Sequence, residues 1–248
     1  MDNKTLLTTF TGFVGALSEA YVVRVTREAL SGNEPDGRAN VHGDVEYVVD
    51  GDAKRSPDIA IDEGEDLVLV EVFSGRLPRL ARVLADERRI SDALGKAIID
   101  KLVQLSRATA DVLAGHVPYP NLDLGPVRRV WPVLVLAGGG IVQLPVLWRY
   151  VERHLGDRAF VDERIAARTI VTLDDYEPLV AIAEERRSPL SGLLADYHAS
   201  RFRELPPRNW VRVAHPREGP MRPQWVQGCY KAAADEMKQQ LGVDPEPE

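Results

Sequence analysis

The stretch RSPDIAIDEGEDLVLVEVFSGRL (residues 55–77) decides how this chain folds. DIAID (58–62) reads as a short strand and EGED (63–66) as a hairpin turn. LVLVEVF (67–73) reads as a strand covered on both faces, because an unbroken apolar run with branched side chains leaves no face for water. Antiparallel pairing around Gly64 then brings Asp58 and Glu71 to the same end of the hairpin. A slip of one residue would turn every side chain over, so the register carries the reading. Two carboxylates held together away from water are unfavourable unless a cation neutralises them. Oxygen ligands of this kind suit Mg²⁺ or Mn²⁺, which can polarise a phosphodiester and activate water. Glu71 and Phe73, two residues apart, project to the same face. A lysine at position 73 would stabilise charge growing on a phosphate; Phe73 does not.

Working outward, Leu17, Tyr21, Val25 and Leu30 recur at helical spacing and predict a helix over residues 11–30. SGNEPDGRAN (31–40) reads as a loop, VEYVVD (45–50) as the first strand and GDAKRSP (51–57) as a turn. Beyond SGRLPRL, where Pro78 stops the strand, a long helix is expected over residues 86–113. Its apolar stripe is Ile90, Leu94, Ile98, Leu102, Leu105, Thr109 and Leu113. WPVLVLAG (131–138) predicts another strand, VQLPVLWRYVERHL (142–155) a helix and ARTIVTL (167–173) a further strand. Helices follow at LDDYEPLVAIAEE (173–185), SPLSGLLADYHASRF (188–202) and near residues 224–241. A hairpin-linked meander followed by helical crossovers gives an α/β fold, a mixed central sheet flanked by helices.

The bulk numbers agree. The 248 residues are 44% hydrophobic and 28% charged, as in an ordinary globular chain. Acidic residues outnumber basic ones, 38 to 31, for a net charge of −7, which argues against a generic electrostatic coat for nucleic acid but leaves room for a local basic cleft. The single cysteine, Cys229, rules out a disulfide within the chain and points to a reducing, cytoplasmic compartment. No apolar run approaches the roughly 20 residues of a membrane helix, so no membrane partner is expected.

Pro57-Asp58, a spacer, and Glu71-Val72 on an apolar strand, in the order helix, three strands, helix, strand, resemble the PD-(D/E)xK nuclease superfamily with its restriction-endonuclease-like fold. Phe73 departs from it, standing where the family's motif lysine belongs. The resemblance implies an Asp58, Glu71 and Val72-carbonyl site for Mg²⁺ or Mn²⁺. It also implies a supporting acid on the first helix, Glu19 by order with Glu28 as the weaker rival. Some members carry the lysine on the helix after the third strand, where Lys101 is the first candidate, Lys96 the second, and Gln104 a further polar neighbour. Arg76 could clamp a phosphate but cannot act as a base. The expected activity is hydrolysis of DNA phosphodiesters; the alternative is an inactive nuclease-fold module that binds nucleic acid or protein.

The nuclease-like domain is expected over residues 1–205, with an Arg/Trp/Pro-rich helical extension over 206–248. That extension interleaves arginines with Trp210 and Trp225, a composition that serves protein interfaces, homo-oligomers or packing, and can also grip nucleic acid. Asp62, Glu63, Glu65 and Asp66 around the turn are expected to be solvated. AGGG (137–140) reads as a strand-to-helix connection, and the five histidines, without metal spacing, as surface or capping residues.

Overall fold

A computed structural model describes residues 3–31, 39–75, 87–138, 144–156, 159–216 and 221–240. Arg76, Pro78, Gly139, Gly140 and the side chains of Ile90 and Leu94 lie outside the described residues. Helix α1 (Asn3–Leu30) leads into strand β1 (Asn40–Gly43), a hairpin of β2 (Glu46–Val49) and β3 (Asp52–Arg55), then β4 (Ile59–Asp62) and β5 (Asp66–Phe73). Helix α2 (Glu87–Leu113), β6 (Arg129–Leu136), α3 (Leu144–Leu155) and β7 (Thr169–Thr172) follow. The chain continues through α4 (Leu173–Arg186), α5 (Leu190–Ala199), α6 (Pro207–Ala214) and α7 (Gln224–Gln240).

Five strands form one mixed sheet in the order β1-β4-β5-β6-β7. β1, β4 and β5 are antiparallel, whereas β5, β6 and β7 are parallel. The register of β4 on β5 pairs Ile59 with Val70 and Ile61 with Val68, so Asp58 falls opposite Glu71 as the hairpin reading requires. Both faces of the sheet are covered, which is why β5 reads as a continuous apolar run. Val68, Val70 and Val72 face α1, α4 and α5; Leu67 and Leu69 face α2, as does the half-buried Phe73. Burying each Val or Leu of β5 contributes about 1.5–3 kcal/mol, enough to fix the register against a one-residue slip.

Two expectations are corrected. VEYVVD is not a strand of the main sheet: β2 pairs with β3, which occupies the stretch read as a turn, and the first sheet strand is β1, within and just after the stretch read as a loop. Nor are all the turn carboxylates solvated. Glu63 accepts the Leu190 and Ser191 N–H groups at 2.7 and 2.9 Å and so caps α5, where unpaired backbone donors favour an anion. Asp66 is buried and accepts from Arg129 at 2.6 Å and from the Trp131 indole at 2.9 Å.

The C-terminal segment packs on the core. Trp210 and Val211 of α6 and Val226 of α7 belong to the same apolar cluster as α1, α4 and α5. Buried Asp175 closes the capping box of α4 on Thr172, and its other oxygen accepts the Arg208 N–H at 3.3 Å. Glu184 caps α7 by accepting the Gln224 N–H at 2.8 Å. Among the described residues no helix is long and apolar enough to cross a membrane.

Candidate functional site

The end of the β4–β5 hairpin gathers the acids. Asp58 and Glu71 are both buried, 7% and 3% exposed. The Val72 N–H donates to Asp58 Oδ2 at 2.7 Å, which pins that carboxyl against β5. Burial first, then the neighbouring Glu71 carboxylate, pushes the Asp58 carboxyl up to about 7, even though the Val72 amide pulls the other way. Glu71 is raised by burial as well and drawn back by the Lys101 charge.

Lys101 comes from α2. Its Nζ lies 2.6 Å from Glu71 Oε1, and Gln104, one turn further on, donates to the same oxygen at 3.3 Å. Helical spacing explains the pairing: residues three apart share a face, and that face of α2 lies over the side of β5 from which Glu71 projects. The ion pair is half sheltered, with Lys101 29% and Glu71 4% exposed at the side chain. Lys96 is exposed on the same helix and has no contact with either carboxylate among the described residues. Phe73 packs beside Ile98 and Leu102, filling with carbon the space on this face where the superfamily motif would put an amine.

Helix α1 crosses the same end of the sheet. A Cβ on Gly15 would stand 3.0 Å from Ser74 Oγ, which shows how near α1 runs to the end of β5. Glu19 follows one turn later and lies within electrostatic reach of both Asp58 and Glu71. Glu28 instead pairs with Arg24 on an exposed flank. Arg55, which the sequence reading passed over inside a supposed turn, is a further member of the site. It sits on β3, bonds Asp44 Oδ2 at 2.6 Å and feels the charges of Asp58 and Glu19. Its signal in the sequence was its place directly before Ser-Pro-Asp. Tyr119, above Pro57 with its hydroxyl 3.5 Å from the Pro57 carbonyl, is pushed up to about 12, chiefly by burial.

Whether these residues suit a divalent cation can be judged from their donors. Asp58 Oδ1 and Glu71 Oε2 take no hydrogen bond among the described residues, and neither is a sealed, partnerless atom. No group of three or more His, Cys, Asp or Glu side chains in metal-holding geometry occurs among the described residues. A Mg²⁺-type ion commonly takes one or two carboxylates and completes its shell with water and substrate oxygens, so a pair of acids with one open oxygen each fits it. The raised Asp58 carboxyl points the same way, since a pair that resists double ionisation is relieved by a cation. Of the histidines, His42 on β1 lies near this end, its ring 5.3 Å from that of Tyr119, whereas His198 bonds Thr169, His116 faces Asp111, and His154 bonds the Tyr150 carbonyl.

No protein-family model, curated protein or solved structure matches the chain.

Proposed function

We propose that the chain is a metal-dependent phosphodiesterase of the PD-(D/E)xK type acting on DNA, its lysine relocated from the third strand of the motif to the following helix. The observation that carries the reading is the 2.6 Å contact between Lys101 and Glu71. It supplies from α2 the cation that Phe73 cannot supply from β5. Supporting it are the register that sets Asp58 opposite Glu71, and the sheet order in which β1, β4 and β5 form a meander before a parallel crossover.

In this reading Asp58 and Glu71 hold a Mg²⁺ or Mn²⁺ ion, with the Val72 carbonyl beside them and Glu19 as outer support. The ion when bound supplies Lewis acidity toward a phosphoryl oxygen and toward water. The Val72 amide engages one oxygen of Asp58 and leaves the other for the ion. Lys101 draws Glu71 toward the ionised form against the opposing effect of burial, and in this reading its remaining N–H donors meet charge growing on the phosphoryl group. Gln104 sets the Glu71 rotamer by binding the same oxygen. Arg55, from the β2–β3 hairpin, offers a guanidinium suited to a phosphate flanking the scissile one.

A specific observation favours a second reading, a nuclease-fold scaffold without catalysis: Phe73 is packed into an apolar cluster, as a residue freed from catalytic duty would be. Incubating plasmid and linear oligonucleotides with wild type, Asp58→Asn and Glu71→Gln, with Mg²⁺, Mn²⁺ or EDTA, separates the two. Cleavage by wild type alone, abolished by EDTA, is expected. Products equal in all three proteins, or none from wild type at high enzyme concentration, reject the enzymatic reading.

A further inference from the structure

A second site lies away from the carboxylates, beside the β7 edge of the sheet. There the parallel ladder breaks. Val130 bridges Ile165 and Val133 pairs with Thr169, so three steps along β6 face four along the partner segment, a bulge of one residue. Val130 donates its N–H toward that side, to the Arg164 carbonyl at 2.8 Å. Two residues on, Pro132 would direct an N–H the same way and has none, so the broken ladder leaves no donor stranded.

The bulge delivers Arg168 to the wall of a cavity of about 970 Å³ between α3 and the segment after α5. Arg149 and Arg153, one helical turn apart on α3, and Arg203 after α5 line it too. Four arginines against two glutamates, Glu152 and Glu204, line the cavity, a local positive excess in a chain whose net charge is −7. Arg168 is paired with Glu152, yet its Nε is buried without an acceptor among the described residues. Arg149, Arg153 and Arg203 hold no ion pair among the described residues, although Glu204 stands at the same wall. Concentrating unpaired positive charge has a cost, and a cluster that keeps it is suited to an anion.

Part of the lining is apolar and strained. Phe160 and Ile165 line it, and Phe160 has φ of 57°, a left-handed conformation that a bulky side chain adopts only under constraint. Its N–H is tied to Ser106 Oγ at 2.7 Å, which holds the residue there. His198 closes the cavity near Arg203, its ring bonded to Thr169 at 2.8 Å and kept neutral, burial and Arg203 lowering it to about 4. A neutral ring, an aromatic side chain and several arginines in one lining accommodate a molecule with an apolar, stackable body and a phosphate. The volume falls in the range of small-molecule sites, about 300–1,000 Å³.

We infer that this cavity binds a nucleotide: its phosphate among Arg149, Arg153, Arg168 and Arg203, its base against Phe160. The same chemistry is carried by a free nucleotide and by one nucleotide of a single strand. Either source leaves the site separate from Asp58, directly before β4, and Glu71 on β5, on the far side of β6 from β7.

Calorimetric titration of the full chain in EDTA tests this. The probes are adenosine monophosphate, adenosine triphosphate, a short single-stranded oligonucleotide, adenosine and inorganic phosphate. At least one phosphate-bearing nucleotide is expected to bind more tightly than adenosine or inorganic phosphate. Affinity for the mononucleotides identifies a free ligand; affinity for the oligonucleotide alone identifies a strand. Arg149→Ala combined with Arg153→Ala is expected to weaken binding roughly tenfold or more, as is Arg203→Ala, with far-UV circular dichroism unchanged. Asp58→Asn is expected to leave it intact, which keeps this site's test apart from that of the carboxylates. Absence of binding by every phosphate-bearing probe, equal binding of adenosine, or affinity unmoved in both arginine variants overturns the inference.

Discussion

Asp58 is the residue at which electrostatics, stability and chemistry meet. Its carboxyl, pushed up to about 7 against a usual value of 3.8, holds its proton more tightly in the folded chain than in the unfolded one. The sign follows from linkage. The favourable contribution is complete below pH 4, falls as pH rises toward 7, and is absent above. Without a cation, the fold therefore loses about 2–4 kcal/mol of stability between pH 4 and pH 8. Asp58→Asn keeps an oxygen for the Val72 amide but cannot ionise. Thermal denaturation from pH 4 to 8 should show a flatter profile for this variant and a higher Tm than wild type at pH 8. Mg²⁺ should raise the wild-type Tm at pH 8 and leave that of the variant unmoved. The partner pair behaves differently. Lys101→Met leaves buried Glu71 without its cation and should cost about 3 kcal/mol in urea denaturation, whereas Lys101→Met with Glu71→Gln should recover most of that loss.

At the scale of elements, glycines bring the two strand ends together. A Cβ on Gly138, after β6, would stand 2.3 Å from the Gly75 carbonyl, after β5, and a backbone oxygen gives way only if the strands part. Gly138→Ala should cost about 1–3 kcal/mol and loosen the end of β5 that carries Glu71; chemical denaturation and hydrogen exchange at Val72 measure both. The same scale shows what could be read from the sequence. β5 and β6 are legible because covered strands must be continuously apolar, and α2 because Ile98, Leu102 and Leu105 recur at helical spacing. β1 and β3 are not. NVHG is short and stands at the end of a polar Gly/Pro/Asn stretch of sequence, and DAKR carries almost no apolar signal, since its hairpin lies outside the main sheet. VEYVVD has the pattern of a strand but nothing in it says which sheet it joins. Asp58 and Glu71 could be brought together from the sequence because hairpin register is a local rule, whereas Lys101 was reached only through the family resemblance. Arg55 was hidden with its strand. Glu63 and Asp66 looked solvated because their partners lie far along the chain, at Leu190 and Trp131.

Across the whole molecule, α6 and the first turn of α7 share the core, and α7 is exposed from Gln227 through Met237. Trp210 is 5% exposed and meets Tyr197 edge-on, and Trp225 packs near Tyr21 under the Arg24 guanidinium. Trp210→Ala should therefore lower stability by about 3–5 kcal/mol in urea denaturation, a core penalty rather than a surface one. In an acidic whole, Lys101 and Arg55 each stand paired with a carboxylate, Glu71 and Asp44, and the arginine cavity near β7 is the local positive feature. The placement of the cation on α2 is what makes the carboxylate pair a working site in this reading. The most direct measurement is a cleavage time course in Mg²⁺ for wild type, Lys101→Ala, and Lys101→Ala combined with Phe73→Lys, which returns an amine to the face that Glu71 shares. Cleavage by wild type, a loss of roughly 100-fold or more in Lys101→Ala and partial recovery in the double variant are the predicted result. Wild-type activity unchanged by Lys101→Ala, or a wild type that cleaves nothing, would contradict it.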